Sequence, residues 1–190
     1  MHRIAIFASG EGTNARNFVE YFKQSKDIRI SLIVSNKKDA GVVQMAHEAG
    51  IETIIVDRDS FYNMNGVVDE LEQKADFIVL AGFLWMIPGN IIKAFEDRMV
   101  NIHPALLPNY GGKGMYGAKV HEAVIANKEK ESGITIHYVN DKYDEGTIIF
   151  QAKCIVEPFD TPETLAQKIH ELEYKFYPQE VEKLLLGNIS

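Results

Sequence analysis

Apolar positions along this chain follow two alternating periods. Short, nearly continuous apolar runs alternate with stretches in which apolar residues recur at helical spacing, as Phe18, Tyr21 and Phe22 do. The apolar runs predict strands at Arg3–Ala8, Ile28–Val34, Thr53–Val56, Phe77–Leu80 and Met99–His103. The other stretches predict helices at Thr13–Gln24, Ala40–Ala49, Ser60–Lys74 (capped by Ser60) and Pro88–Phe95. Because strands alternate with helices, we expect a mostly parallel sheet with helices on both faces.

The pattern changes after Pro104. A glycine-rich loop at Asn109–Gly117 precedes a predicted helix at Ala118–Asn127. Two further strands, Gly133–Val139 and Gly146–Ile155, are separated by a short polar stretch, which favours a hairpin and an antiparallel C-terminal extension of the sheet. A long amphipathic helix over Thr161–Leu186, interrupted near Pro178, ends the pattern. The expected fold is a single-domain, Rossmann-like, three-layer α/β structure over residues 1–190.

Composition narrows the classes of function. The 190 residues are 46% hydrophobic and carry a formal charge of −7, which disfavours nonspecific binding to nucleic acid or an anionic membrane. The single cysteine, Cys154, allows no intramolecular disulfide and fits a reducing compartment. With no signal-peptide core and no apolar stretch long enough to span a membrane, we expect a cytoplasmic protein.

The first candidate site is the turn after the first strand. Ser9–Asn14 reads SGEGTN, and its glycines allow a sharp turn into a helix whose N-terminus favours an anion. This indicates a phosphate site at Gly12, Thr13 and Asn14. Two alternatives stay open: a purely structural turn, and a dinucleotide site of an oxidoreductase. The dinucleotide fingerprint requires an acidic residue at the tip of the second strand, where this chain has Ser35 and Asn36.

The second candidate site is the end of the fifth strand. Asn101 and His103 are two residues apart and therefore point to the same face of a strand. A carboxamide can donate a hydrogen bond to an oxyanion that develops during acyl transfer, and an imidazole can move a proton near neutral pH. Asp144, in the polar turn before the last strand, is the candidate carboxylate that supports the imidazolium. Structural hydrogen bonding and turn formation are the alternative roles for these three residues.

No nucleophile or metal motif accompanies this set. Cys154 lies late in a predicted strand with no obvious base, no Gly-x-Ser-x-Gly elbow is present, and the six histidines lack a His-Glu-x-x-His spacing. We therefore expect metal-independent chemistry in which an acceptor amine attacks a carbonyl directly, without an acyl-enzyme.

Five segments together resemble phosphoribosylglycinamide formyltransferases, the folate-dependent family of purine biosynthesis, over nearly the whole chain. They are SGEGTN at Ser9–Asn14, VLAGFLWMI at Val79–Ile87, NIHPALLP at Asn101–Pro108, GITIHYVNDKYDEGTIIFQ at Gly133–Gln151 and ELEYKFYP at Glu171–Pro178. Other enzymes that use formyl-folate, among them formyltetrahydrofolate deformylase and methionyl-tRNA formyltransferase, are the close alternatives.

The resemblance implies roles for particular residues. It implies that Gly12, Thr13, Asn14 and Glu173 bind glycinamide ribonucleotide, and that Asn101, His103 and Asp144 form the catalytic trio. It places the co-substrate 10-formyltetrahydrofolate against Leu84, Trp85, Met86, Ile87, Asn101, Asn140 and Asp141. It also implies small-molecule substrates, no nucleic-acid or membrane partner, no metal, and a monomer or weak homodimer.

The sequence departs from the family at several of these segments. Many relatives carry arginine where Trp85 stands, and an arginine near Met64 is also replaced. The loop Gly111–Gly117 differs from the histidine-containing version, so we assign no catalytic role to His121. Leu84–Ile87 could equally be core, and His137 is interpreted as a structural residue or as a support for the catalytic ones.

Overall fold

Parallel strands and helices alternate through the first hundred residues. The structure, a computed structural model, describes residues 1–63 and 66–187 and divides the chain into two units, Met1–Val100 and Asn101–Ser190. The strands of the first unit are β1 (His2–Phe7), β2 (Ile28–Ser35), β3 (Glu52–Ile55) and β4 (Phe77–Leu80). Its helices are α1 (Thr13–Phe22), α2 (Gly41–Glu48), α3 (Arg58–Asn63), α4 (Gly66–Lys74) and α5 (Gly89–Ala94).

The strands of the first unit lie in the order β3-β2-β1-β4, and each neighbouring pair is parallel. The apolar run of β1 is buried throughout Ile4–Phe7, as expected for a parallel strand covered on both faces. From β1 the chain moves outward through β2 and β3 and then returns to the other side of β1 as β4. The carboxyl ends of β1 and β4 therefore form a topological switch point, where open α/β sheets bind ligands.

The helix predicted at Ser60–Lys74 corresponds to α3 and α4, which lie on either side of residues 64–65, outside the described part of the chain. Ser60 lies inside α3, so its prediction as the N-cap was wrong. The side chain of Asp57 accepts a hydrogen bond from the Ser60 amide at 2.8 Å, so an aspartate satisfies the donor at this helix start. Met64, the position that departs from the family, lies outside the described residues.

The second unit contains the hairpin expected from the sequence. Its elements are β5 (Met99–His103), whose first two residues belong to the first unit, α6 (Ala118–Ala126), β6 (Glu131–Tyr138), β7 (Ile148–Ile155) and α7 (Pro162–Leu186). The strands lie in the order β5-β6-β7, and β6 pairs antiparallel with β7. The predicted α/β, Rossmann-like fold with an antiparallel C-terminal extension is confirmed, whereas a single domain over residues 1–190 stays a prediction.

The closing helix α7 is continuous, contrary to the interruption predicted near Pro178. Thr161 caps its start by a reciprocal exchange of hydrogen bonds with Thr164. Pro178 lies inside the helix and is buried together with Tyr177. Proline removes one backbone donor from a helix, but burial of an apolar face offsets that loss. None of the described helices combines the length and apolar character that crossing a membrane requires.

Candidate active site

The turn between β1 and α1 is built around Gly12. This residue has a φ of 75°, in the left-handed region that favours glycine, and precedes the first residue of α1. A Cβ atom at position 12 would lie 2.7 Å from the side chain of Val42, so the turn also needs the missing side chain. No side-chain hydrogen bond caps α1 and its first turn carries no acidic residue. The amides at this helix start therefore favour an anion.

Ser9 joins this turn to the segment after β4. Its amide donates to the Gly82 carbonyl at 3.1 Å, and its hydroxyl accepts from the Leu84 amide at 2.9 Å. Ser9 is buried, so these bonds are protected from water. These two hydrogen bonds hold the start of the Leu84–Ile87 segment beside the turn between β1 and α1, at the switch point.

The Leu84–Ile87 segment presents mixed exposure. Leu84 is 51% exposed, Trp85 and Met86 are half-buried, and Ile87 is buried in the core. Trp85 lies against an aromatic cluster that includes Phe61 and Phe83, with the guanidinium of Arg58 5.2 Å from its ring centroid. Leu84 and Trp85 thus offer an apolar surface to a ligand. The Ile87 side chain is part of the core, which was the alternative interpretation of this segment.

In the second unit, a carboxylate lies against the ring of His103. Oδ2 of Asp144 is 3.5 Å from Nδ1 of His103, and the same oxygen accepts from the Gly112 amide at 2.9 Å. The other ring nitrogen of His103, Nε2, lies 2.7 Å from the carbonyl oxygen of Tyr110. His103 is only 3% exposed, so its ring is held by these contacts rather than by water.

The structure places the side chain of Asn101 against a second histidine. Nδ2 of Asn101 lies 3.2 Å from Nε2 of His137, whose other nitrogen, Nδ1, lies 2.8 Å from the Tyr138 carbonyl oxygen. Oδ1 of Asp144 is 3.7 Å from Nε2 of His137. Burial lowers the pKa of His137, because its effect is larger than those of the Tyr138 carbonyl and of Asp144, which raise it.

Asp144 lies between the two imidazoles because of the backbone around it. Its φ of 56° is left-handed, a conformation that aspartate adopts more readily than most residues. Gly146 follows, and a Cβ there would lie 1.7 Å from the Tyr138 carbonyl oxygen. The Asp-x-Gly turn therefore needs glycine at its third position so that the two segments can approach.

Thr135 holds the chain that leaves β5. Its hydroxyl donates to the Ala105 carbonyl at 2.7 Å and accepts from the Leu107 amide at 3.0 Å, and Thr135 is fully buried. Gln151 donates to both the Thr135 hydroxyl and the Leu107 carbonyl. A polar set satisfied in this way rigidifies the segment that carries His103 into its loop.

The polar turn after β6 contains the remaining candidates. Asn140 accepts from the Lys142 amide at 3.0 Å through its side chain, which is ordinary turn chemistry. Asp141 is exposed.

Glu173 is buried on α7, where it pairs with a histidine. Its Oε2 lies 3.0 Å from Nδ1 of His170, and this contact raises the pKa of His170.

The neighbouring helix α6 carries His121, which is buried, with no hydrogen-bond partner for Nδ1 among the described residues. Burial lowers the pKa of His121, so that ring is neutral at physiological pH.

Cys154 is poorly suited to act as a nucleophile. Burial raises the pKa of the Cys154 thiol, which disfavours the reactive thiolate. The described residues include no group of three or more His, Cys, Asp or Glu side chains placed to hold a metal ion. What the second unit does assemble is an amide donor, a buried imidazole and a carboxylate, which suits charge stabilisation and proton transfer at a carbonyl.

Reasoning from the sequence did not identify Tyr110, Gly112 or Gly146 as parts of this cluster, and it left the role of His137 open. Tyr110 and Gly112 contribute through backbone atoms, which residue type does not reveal. Strand alternation places His137 on the same face as Thr135, which is the sequence signal behind its interpretation as a structural or supporting residue.

Comparison with known proteins identifies relatives along nearly the whole chain. The family model described as formyl transferase matches residues 2–181. The chloroplastic phosphoribosylglycinamide formyltransferase of Arabidopsis thaliana is 41% identical over 186 residues, which cover 94% of this chain and 64% of that protein. The chain thus spans less than two thirds of the plant relative.

Bacterial proteins match over more of their own length. The phosphoribosylglycinamide formyltransferase of Bacillus subtilis (strain 168) is 33% identical over 191 residues, which cover 97% of this chain and 95% of that protein. The crystal structure of phosphoribosylglycinamide formyltransferase from Bacillus halodurans superposes with a TM-score of 0.87 at 36% identity, covering 96% of this chain and 95% of that one.

Proposed function

This chain belongs to the formyl transferase family, and from that premise we propose that it transfers a formyl group from 10-formyltetrahydrofolate to the amine of glycinamide ribonucleotide. The observation that carries the proposal is the position of the Asp144 carboxylate, 3.5 Å from the ring of His103. His103 lies on β5, the strand that also carries Asn101. The protein would therefore act in purine biosynthesis, and its bacterial and plant relatives are named phosphoribosylglycinamide formyltransferases.

The acceptor substrate binds by its phosphate at the turn of the first unit. The amides of Gly12, Thr13 and Asn14 supply donors at the start of α1, where the helix dipole favours negative charge. Glu173 contacts the same substrate through its carboxylate, which would accept hydrogen bonds from hydroxyl groups. His170 supports that carboxylate from 3.0 Å.

The formyl donor lies along the apolar surface of Leu84 and Trp85 and near the turn at Asn140 and Asp141. Exposed and half-buried apolar side chains suit the flat rings of a folate, and main-chain groups of Met86 and Ile87 can bind their polar edges. Asn101 contacts the formyl group. The formyl-folate acts as a co-substrate, consumed in each turnover.

The reaction proceeds by direct attack of the acceptor amine on the formyl carbon. A new bond forms between that carbon and the amine nitrogen, and the negative charge that develops on the formyl oxygen receives a hydrogen bond from Asn101. The bond from the formyl carbon to N10 of the folate then breaks. The amine loses one proton and N10 gains one, and His103, supported by Asp144, carries this transfer.

The proposal also covers the partners, the cellular location, the oligomeric state and the domain organisation of the protein. We expect small-molecule substrates, without a nucleic-acid or membrane partner and without a metal, in a cytoplasmic monomer or weak homodimer formed from one domain over residues 1–190.

The direct test is to measure formylated product after mixing the purified chain with glycinamide ribonucleotide and 10-formyltetrahydrofolate. We expect turnover that depends on both compounds. Acceptor-free incubation is the discriminating arm, because rapid release of formate without the amine would assign the protein to the deformylases. Absence of product in the complete mixture, with an active relative as the positive control, would refute the proposal.

A further inference from the structure

We propose that His137 is a positioning residue that orients the carboxamide of Asn101 for formyl transfer, acting through the contact between Asn101 Nδ2 and His137 Nε2. This inference rests on the proposed function, in which Asn101 donates a hydrogen bond to the formyl oxygen. His137 itself touches no reacting atom in this scheme.

The hydrogen-bond pattern defines one tautomer of His137. Nδ1 lies 2.8 Å from the Tyr138 carbonyl oxygen, which can only accept, so Nδ1 carries a proton. In the neutral ring Nε2 then has a lone pair and accepts from Asn101 Nδ2 at 3.2 Å. An imidazolium would instead direct an Nε2 hydrogen at the amide nitrogen, which has no acceptor to offer.

The surroundings of His137 favour that neutral ring. The side chain is 3% exposed, and burial disfavours its charged form. The ionisable groups that face it are Asp144, with Oδ1 3.7 Å from Nε2, and His103. The carboxylate favours protonation of the ring and the second imidazole opposes it, while burial is the dominant influence.

Gly146 makes the tautomer possible through close packing. The position where its Cβ would stand is 1.7 Å from the Tyr138 carbonyl oxygen and 3.4 Å from His137 Nδ1. The Asp-x-Gly turn thus serves two purposes, because it carries Asp144 and also leaves room for the Tyr138 carbonyl, which accepts the hydrogen bond from His137 Nδ1.

Orientation matters because a carboxamide has two unlike ends. One hydrogen of Asn101 Nδ2 is held by His137, which leaves the second hydrogen of the same nitrogen for the formyl oxygen. Without His137 the amide is free to turn over and to present its own oxygen to developing negative charge. The loss would be felt in the transition state, and therefore in kcat rather than in KM.

The experiment compares His137→Leu with His137→Gln, since the glutamine carbonyl oxygen can accept from Asn101 and leucine cannot. We expect His137→Leu to lower kcat by roughly 10- to 100-fold with KM nearly unchanged, and His137→Gln to recover most of that loss. In an Asn101→Ala background, His137→Leu should cost little more, because the group that it orients is gone. Equal losses in both backgrounds, or a wild-type kcat for His137→Leu, would overturn the proposal.

A second measurement needs neither a variant nor turnover. The 15N chemical shifts of the His137 ring in the wild-type protein report its tautomer, and we expect the proton on Nδ1 with Nε2 unprotonated. A proton on Nε2 at neutral pH would contradict the positioning role even if the enzyme is active. Conversely, the expected tautomer in a protein that forms no formylated product would mean that the proposed function, rather than the geometry, is wrong.

Discussion

Nε2 of His103 lies 2.7 Å from the carbonyl oxygen of Tyr110. Nδ1 of the same ring lies 3.5 Å from the Asp144 carboxylate, so both ring nitrogens face acceptor oxygens. The two contacts fix the plane of the ring within a buried environment. They also connect the loop after β5 with the turn before β7, so that groups from two separate segments contact one ring.

Loss of the His103 or the Asp144 side chain should remove most of the formyl transfer activity. We expect His103→Ala and Asp144→Ala each to lower kcat by about 10²- to 10⁴-fold, because His103 carries the proton from the amine to N10 and Asp144 supports that ring. Binding of a phosphate ligand, followed by calorimetry, should persist, since the turn at Gly12 is unaffected. Glu145→Gln is the matched control, because it neutralises an exposed carboxylate in the same turn. Near-normal turnover in His103→Ala would contradict the mechanism.

The turn at Gly12 should tolerate no side chain. Gly12→Ala places a Cβ 2.7 Å from Val42 in a left-handed conformation, so we expect it to destabilise the fold by about 1–3 kcal/mol and to weaken phosphate binding. Gly10→Ala, where no atom lies within 4 Å, is the control from the same turn. Urea unfolding of both variants gives the comparison. Equal stability of the two variants would show that the close approach to Val42 is relieved at little cost.

Gly146 should be equally intolerant for a different reason. Its added Cβ would overlap the Tyr138 carbonyl, which is backbone and cannot move away as a flexible side chain can. We expect Gly146→Ala to lower the free energy of unfolding by at least about 2 kcal/mol. Gly89→Ala, at the open start of α5, should be neutral or slightly stabilising. A Gly146→Ala protein as stable as the wild type would require a backbone different from the one described.

The contact between His170 and Glu173 should appear as a pH dependence of stability. Because Glu173 raises the pKa of His170 above its ordinary value of 6.5, the contribution is fully present below about pH 6.5 and is lost as the pH rises through the raised pKa. His170 is half-exposed, so the contribution should stay below about 1 kcal/mol.

NMR titration of His170 checks this dependence. Its pKa should fall in Glu173→Gln, which removes the charge and keeps the size of the side chain. A pKa that does not change between the wild type and Glu173→Gln would mean that the two side chains are apart in solution.

Local sequence patterns predicted the elements well wherever one period was uninterrupted. The β1 run and the hairpin of β6 and β7 follow directly from apolar alternation and polar turns. The two errors came from local signals that competing contacts outweighed. Ser60 looked like a helix cap, but Asp57 lies three residues earlier and accepts its amide hydrogen. Pro178 looked like a break, but its burial beside Tyr177 keeps α7 continuous.

The sequence by itself determined the α/β fold, the glycine turn before α1 and the identities of Asn101, His103 and Asp144 as candidates, because residue type and spacing carry that information. Only the tertiary structure decided which groups hold those three side chains. The Tyr110 carbonyl, the Gly112 amide and the His137 ring come from separate segments, and their selection depends on distances of about 3 Å set by packing. Hydrogen bonds of backbone atoms leave no mark on residue type, so no pattern in the sequence could have specified the Tyr110 carbonyl or the Gly112 amide.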